Sequence, residues 1–276
     1  MSILGWFSKK RRRDEIRARS FSDEFLAIVA KNVRWHRRLD AESKKELIKK
    51  IQVFLAEKAF EGCGGLELND EIRVTIAAQA CLLLLGTRSD YYPKLQTILV
   101  YPSAYLARTV EPLRGGGVIE KDEERIGESW VSGVVVLAWD EIEEEFTDPF
   151  ARHNVVLHEF AHQLDYEDGA ADGAPLLSGR GAYPRWAKVM RKEFESLRRR
   201  RDLGRPGVID DYGAKNPAEF FAVATETFFE RPRSLRLKHQ ALYEELKRYY
   251  HLDPVVLLEG DAPLEENSES NDSNGF

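Results

Sequence analysis

Between residues 21 and 85 apolar side chains recur every three or four positions, the period of a helix with one buried face. In LIKKIQVFLAEKAF, Leu47, Ile48, Ile51, Phe54, Leu55 and Ala59 share a face, and charged residues fill the opposite one. The stretch 60–68, FEGCGGLEL, breaks the period with three glycines and reads as a turn into a further helix over 70–85, with Asn69 as its N-cap. The pattern then changes. Residues 97–101 and 133–139 (GVVVLAW) are short β-branched runs bounded by turn residues, which predicts strands. Gly115 to Gly117 and the acidic run 120–125 between them read as a hairpin or loop. Helical period returns over 150–166, stops at the glycine-rich 168–181, and resumes over 183–201, 217–230 and 235–250. The expected fold is α+β and mostly helical, a small mixed sheet packed on helices, with no internal repeat.

Composition divides the chain further. Residues 1–20 form a basic end expected to be flexible, 21–95 a helical part, and 96–258 a second part that makes one compact unit with it. The last stretch, 259–276 (EGDAPLEENSESNDSNGF), is acidic, rich in serine and asparagine, and has the composition of a disordered tail. With 276 residues, 43% of them hydrophobic, the chain can bury a large core. A net charge of -6 argues against direct nucleic-acid binding. No apolar run reaches the roughly 18 to 20 residues of a membrane span. The start, MSILGWFSKKRRR, carries its charge after the apolar stretch and has no long apolar region or cleavage site, so a cytoplasmic location is expected. Cys63 and Cys81 make no CxxC pair and are expected as small buried or half-buried thiols.

Candidate chemistry is concentrated in His158-Glu159-Phe160-Ala161-His162. Two histidines four apart on a helix rise about 6 Å and lie on one face, so both imidazoles can reach one ion. Zinc suits neutral imidazole and keeps a position for water whose pKa it lowers, and Glu159 stands beside the first ligand as general base. Val155, Val156, Leu157, Phe160, Ala161 and Leu164 make this helix apolar around most of its circumference, so the histidines need partners. A third ligand is required, with Asp165, Glu167, Glu219 and Glu226 as candidates. The longer HExxHxxGxxH pattern is excluded, because its glycine position is Asp168 and its third-histidine position is Ala171. Asn216-Pro217-Ala218-Glu219 reads as a helix start in which Glu219 could simply complete a capping box. Glu219 nevertheless heads the apolar helix FFAVATETFF, where a buried acid wants a positive partner, and this makes it the favoured ligand. Glu226, two turns on, and Asp165, three residues after His162, are candidates to orient a ligand histidine from behind. Tyr212 precedes the helix and could donate to an oxyanion.

The segments GESWVSGVVVLAWDEI, HEFAHQLD and DDYGAKNPAEFFAVATETFF, with YPSAY, resemble the Mlc titration factor A family of bacterial zinc peptidases. The resemblance spans roughly residues 20–255. It implies a zincin-like fold and a gluzincin-like site related to the catalytic domain of anthrax lethal factor, whose Tyr-x6-Glu spacing Tyr212 and Glu219 reproduce. By that resemblance His158, His162 and Glu219 bind one zinc, Glu159 is the base and Tyr212 stabilises the transition state. It also implies aminopeptidase activity, and a transcriptional repressor as a binding partner beside peptide or protein substrate. A peptide would pair with the edge of strand 134–139 through Val135, Val136 and Leu137. For an acid holding a free substrate amine the candidates are Glu120, Asp122, Asp168 and Asp172. The competing reading is a regulatory protein that sequesters a transcription factor and keeps zinc for structure.

Overall fold

The computed structural model describes residues 3–87, 89–103, 105–112, 118–125, 128–130, 133–148 and 153–258. In chain order these form α1 (Ile3–Arg17), α2 (Asp23–Asn32), α3 (Ala41–Glu57), β1 (Ala59–Gly62), α4 (Asp70–Leu82), β2 (Thr97–Tyr101), β3 (Tyr105–Pro112), β4 (Val118–Arg125), β5 (Glu128–Trp130) and β6 (Val134–Ala138). There follow α5 (Trp139–Thr147), α6 (Val155–Asp165), α7 (Ala182–Asp202), α8 (Pro217–Glu230), α9 (Pro232–Lys238), α10 (Gln240–Tyr250) and α11 (Pro254–Leu258). The fold is α+β and mostly helical, as the periodicity predicts. The tail 259–276 lies outside the described residues.

The sheet is mixed, in the order β1-β2-β6-β5, with β1, β2 and β6 parallel and β5 antiparallel to β6. β3 and β4 pair antiparallel as a separate hairpin, with Tyr105 opposite Arg125. Three local expectations are corrected. The glycine-rich turn at 60–68 begins with a strand, because Ala59 to Gly62 pair in register with Thr97 to Val100 and the partner outweighs glycine's poor strand propensity. The single helix expected over 235–250 is two, broken at His239. The flexible basic end is α1, packed on α3. Arg13 donates to both carboxylate oxygens of Glu57 at 2.7 Å and also pairs with Asp90, and Ile16 is buried, so that helix has both charge partners and a buried face.

One continuous core joins the two halves. Phe160, on the back of α6, packs tilted against Phe54 of α3 with ring centroids 5.7 Å apart and edge to face against Tyr92 at 4.9 Å. Tyr91 and Tyr92 have positive φ (59° and 53°), a costly conformation for bulky residues. Lys58 holds that turn by donating to the Tyr92 and Leu95 carbonyls at 2.7 Å each, and the Tyr92 hydroxyl donates to the Ala80 carbonyl at 2.6 Å. The motif helix therefore rests on a rigid aromatic floor. Truncating Phe160, which is fully buried, would cost roughly 3 to 5 kcal/mol. Cys81 is buried and Cys63 half-buried, both as free thiols.

Candidate metal centre

α6 and α8 pack against each other along their lengths, and the histidines of one meet an acid of the other. Asn154 caps α6, its side chain accepting from the Leu157 amide at 2.9 Å, and the turn that follows carries His158. α8 starts at Asn216, whose side chain accepts from the Glu219 amide at 2.9 Å, with Pro217 at the first helical position. Of the capping box that competed with the ligand reading, only the Asn216 half forms. The Glu219 carboxylate turns away from Asn216 and lies 3.1 Å from His158 Nε2 and 3.3 Å from His162 Nε2.

The two Nε2 atoms are 3.2 Å apart. An ion with tetrahedral bonds of 2.0 to 2.1 Å holds its donors about 3.3 Å apart. The three separations match that spacing, so the donor set fits a small divalent cation. It is the candidate metal group among the described residues. Burial pulls both imidazoles toward neutrality. For His158 the hydrogen bonds to Glu219 and Glu226 and the charges of Glu226 and Glu159 outweigh burial, so its pKa stands well above the ordinary value. For His162 burial prevails and the pKa falls. Burial would raise the Glu219 carboxyl, but the two imidazoles hold it well below the usual carboxylate range. A cation entering here displaces a proton, so its affinity rises with pH.

Behind the site the two second-layer candidates part ways. Glu226 lies 2.6 Å from His158 Nδ1, the nitrogen facing away from the donor cluster. Its second oxygen accepts from the Asn154 amide at 3.1 Å. Asp165 reaches neither histidine. It is fully buried and accepts from the Gly173 amide at 2.9 Å, tying the 168–181 loop to the end of α6, because its position on the helix directs it to that loop. Burial, with the nearby charges of Asp172 and Asp168, pushes its pKa up to about 7 despite the Gly173 amide.

Glu159 is 2% exposed beside the cluster. Tyr212 lies on a short 3-10 turn, Asp211–Ala214, capped by Asp210, with its ring centroid 5.9 Å from that of His158 and half its surface open. Arg200 fixes the turn by pairing with Asp211 at 2.8 Å. The strand assigned to peptide binding is corrected by the sheet order. Val135 and Val136 are interior to the sheet, paired with β2 on one side and β5 on the other, and Val135 and Leu137 are buried. The sheet's edge on that side is β5. Asp168 and Asp172 accept amides of their own loop, from Ala170 and Ala174. Glu120 and Asp122 fall on β4, and their side chains lie outside the described set.

Sequence reading missed the network around Asn154. Its side chain donates to Glu230 at 3.1 Å, and Arg34 pairs with Glu230 at 2.9 Å. The Val155 amide donates to buried Glu145. A helix-capping asparagine four residues before His158 is the one local signal for it. Arg34 stands 196 positions from Glu230, a separation that leaves no local trace.

The profile of the glucose-regulated metallo-peptidase M90 family matches residues 7–251. The chain belongs to that family. An uncharacterized protein of Synechocystis is 43% identical over 246 residues, covering 89% of this chain and 90% of its own. Proteins named Mlc titration factor A from Yersinia pestis and Yersinia pseudotuberculosis are 28% identical over 241 residues, covering 84% of this chain and 88% of theirs. No helix among the described residues is long and apolar enough to cross a membrane.

Proposed function

We propose that this M90 member is a zinc-dependent peptidase, acting on peptide amino termini, with His158, His162 and Glu219 as ligands and Glu159 as general base. The observation that carries the reading is the spacing of the three donor atoms, 3.1 to 3.3 Å, on two helices that rest on a rigid core. Imidazole and carboxylate donors in this number are those of a catalytic zinc site with an open position. Bound there, zinc would supply an acidified water and polarise the scissile carbonyl. Glu159 takes the proton of the attacking water and passes it to the leaving amine. The Tyr212 hydroxyl donates to the oxyanion as the carbonyl becomes tetrahedral, and the half-exposed ring can move to do so. Glu226 fixes the His158 ring through Nδ1, which commits Nε2 to the ion. An extended peptide would pair with β5, the free edge of the sheet.

A second reading, binding of a transcriptional repressor, is favoured by the name Mlc titration factor A that the Yersinia relatives carry. The two functions can share one chain. The test is metal content by elemental analysis of wild type, His158→Ala and Glu219→Ala, purified without added metal or chelator. About one zinc per wild-type chain, lost in both variants, is the expected result. Zinc retained in full by Glu219→Ala would refute the ligand set.

A further inference from the structure

Away from the His158 cluster, a cavity of about 310 Å³ opens between the 168–181 loop, the start of α7 and the end of α10. That volume lies at the lower end of the range for small-molecule sites. None of His158, His162, Glu219 or Tyr212 lines it, so it is distinct from the candidate metal centre. Trp186 forms part of its wall. The indole donates to the Gly173 carbonyl at 2.8 Å, and the Gly173 amide donates to Asp165.

Charge of both signs lines this small space. Buried Glu245 accepts from Arg185 Nε at 2.8 Å and from Arg248 Nη1 at 2.6 Å. Two guanidiniums thus share one carboxylate, leaving a net positive charge. Their other N–H groups have no acceptor among the described residues and retain the fork geometry that suits a carboxylate. One oxygen of Glu167 accepts the Ser89 hydroxyl, and the other takes no hydrogen bond among the described residues. The Thr87 hydroxyl is buried in the same lining without a partner among the described residues. The apolar part comes from Trp186 and Tyr249, whose rings meet edge to face at 5.7 Å, and from Leu176, which is 53% exposed at the lip. One small cavity thus presents two guanidinium groups, a carboxylate oxygen and an apolar wall together.

We propose that this cavity binds a small zwitterion with an apolar side chain, of the class of free apolar α-amino acids and their dipeptides. The carboxylate meets Arg185 and Arg248, the ammonium meets Glu167, and the side chain lies between Leu176 and the Trp186 and Tyr249 rings. The inference uses no residue of the metal centre and stands whether or not the chain hydrolyses peptides. For a ligand of about a dozen heavy atoms on half-exposed arginines, a Kd on the order of 1 mM is expected.

The test is calorimetric titration of the full chain with L-phenylalanine, 3-phenylpropionate and phenethylamine, which separate the contributions of the two charges. L-phenylalanine is expected to bind, and each one-charge analogue to bind at least ten-fold more weakly. Arg248→Gln and, independently, the exposed-loop variant Leu176→Asp should each weaken L-phenylalanine at least ten-fold, Leu176→Asp with an unchanged Tm, while a metal chelator added to wild type leaves binding unaltered. No binding of L-phenylalanine at 10 mM overturns the proposal. So does equal binding of 3-phenylpropionate, or binding that the chelator abolishes and both variants leave intact.

Discussion

Glu226 accepts two hydrogen bonds at once, and replacing it with glutamine forces a choice between them. Its oxygens take His158 Nδ1 at 2.6 Å and the Asn154 amide at 3.1 Å, in a site where Glu226 is 6% exposed and water cannot substitute. Glutamine fills the same volume but offers one acceptor, and its NH₂ must then face one of two N–H donors. If the carbonyl stays on His158, the Asn154 amide at the start of α6 is stranded, at a cost of about 1 to 3 kcal/mol of folding stability. If it turns to Asn154, the imidazole loses its orienting acceptor, which typically weakens metal binding by about 10 to 100-fold. That is about 1.4 to 2.7 kcal/mol. Either way the negative charge that makes His158 a better ligand is gone. Competitive titration of zinc against a chelating dye, with thermal unfolding of the chelated protein alongside, reads both terms. Glu226→Gln is expected to lose at least ten-fold in zinc affinity, stability, or both. A variant with zinc Kd within two-fold of wild type and the same Tm would show that Glu226 supports neither the ligand nor the helix.

Other substitutions probe other parts of the site. Glu159→Gln should keep about one zinc and lose at least a hundred-fold in peptide hydrolysis, and a fully active variant would remove Glu159 from the mechanism. Tyr212→Phe should lower kcat by about ten to a thousand-fold while zinc affinity and Tm stay put, since the substitution keeps the half-exposed ring and removes only the hydroxyl; a change in zinc content instead would make it a structural residue. Asp165, held at about 7 in the fold against 3.8 as its ordinary value, binds its proton more tightly folded than unfolded. Its contribution is therefore fully present below about pH 4 and declines as pH rises to 7, by about 4 kcal/mol. Asp165→Asn should gain stability relative to wild type across that window in urea unfolding, and parallel pH profiles for the two proteins would contradict the assignment.

The parts of this site legible in sequence are those set by local periodicity. His158 and His162 share a face because they are four apart on a helix, and Glu219 stands at the head of an apolar helix that had to pack in the same core. The parts that were not legible are set by pairing partners distant in the chain. Strand 133–139 has a pattern that fits an edge or an interior strand, and only the arrival of β5, whose three residues carry almost no signal, makes it interior. Asp165 and Glu226 looked equivalent as supports for a histidine. Their difference depends on whether Gly173 or His158 lies opposite, which tertiary packing decides. α1 was hidden for a similar reason, since its basic residues read as solvated until Glu57 and Asp90 are placed beside Arg13.

The network behind His158 ties the amino-terminal part of the chain to the candidate metal centre. The first amides of α6 point at acids, Asn154 at Glu226 and Val155 at Glu145, as the positive end of a helix favours. Those acids are buried, and burial holds Glu145 and Glu230 toward their protonated forms. One cation from the amino-terminal part, Arg34, enters this cluster by pairing with Glu230, which in turn accepts from Asn154. The chain Arg34–Glu230–Asn154–Glu226–His158 thus connects the segment after α2 to the proposed ligand without a break. A chain shortened to begin after β1 would keep all three proposed ligands and lose the countercharge that stabilises their support. On this argument the helices of the first half do more than cover the core, because they help set the charge and orientation of His158.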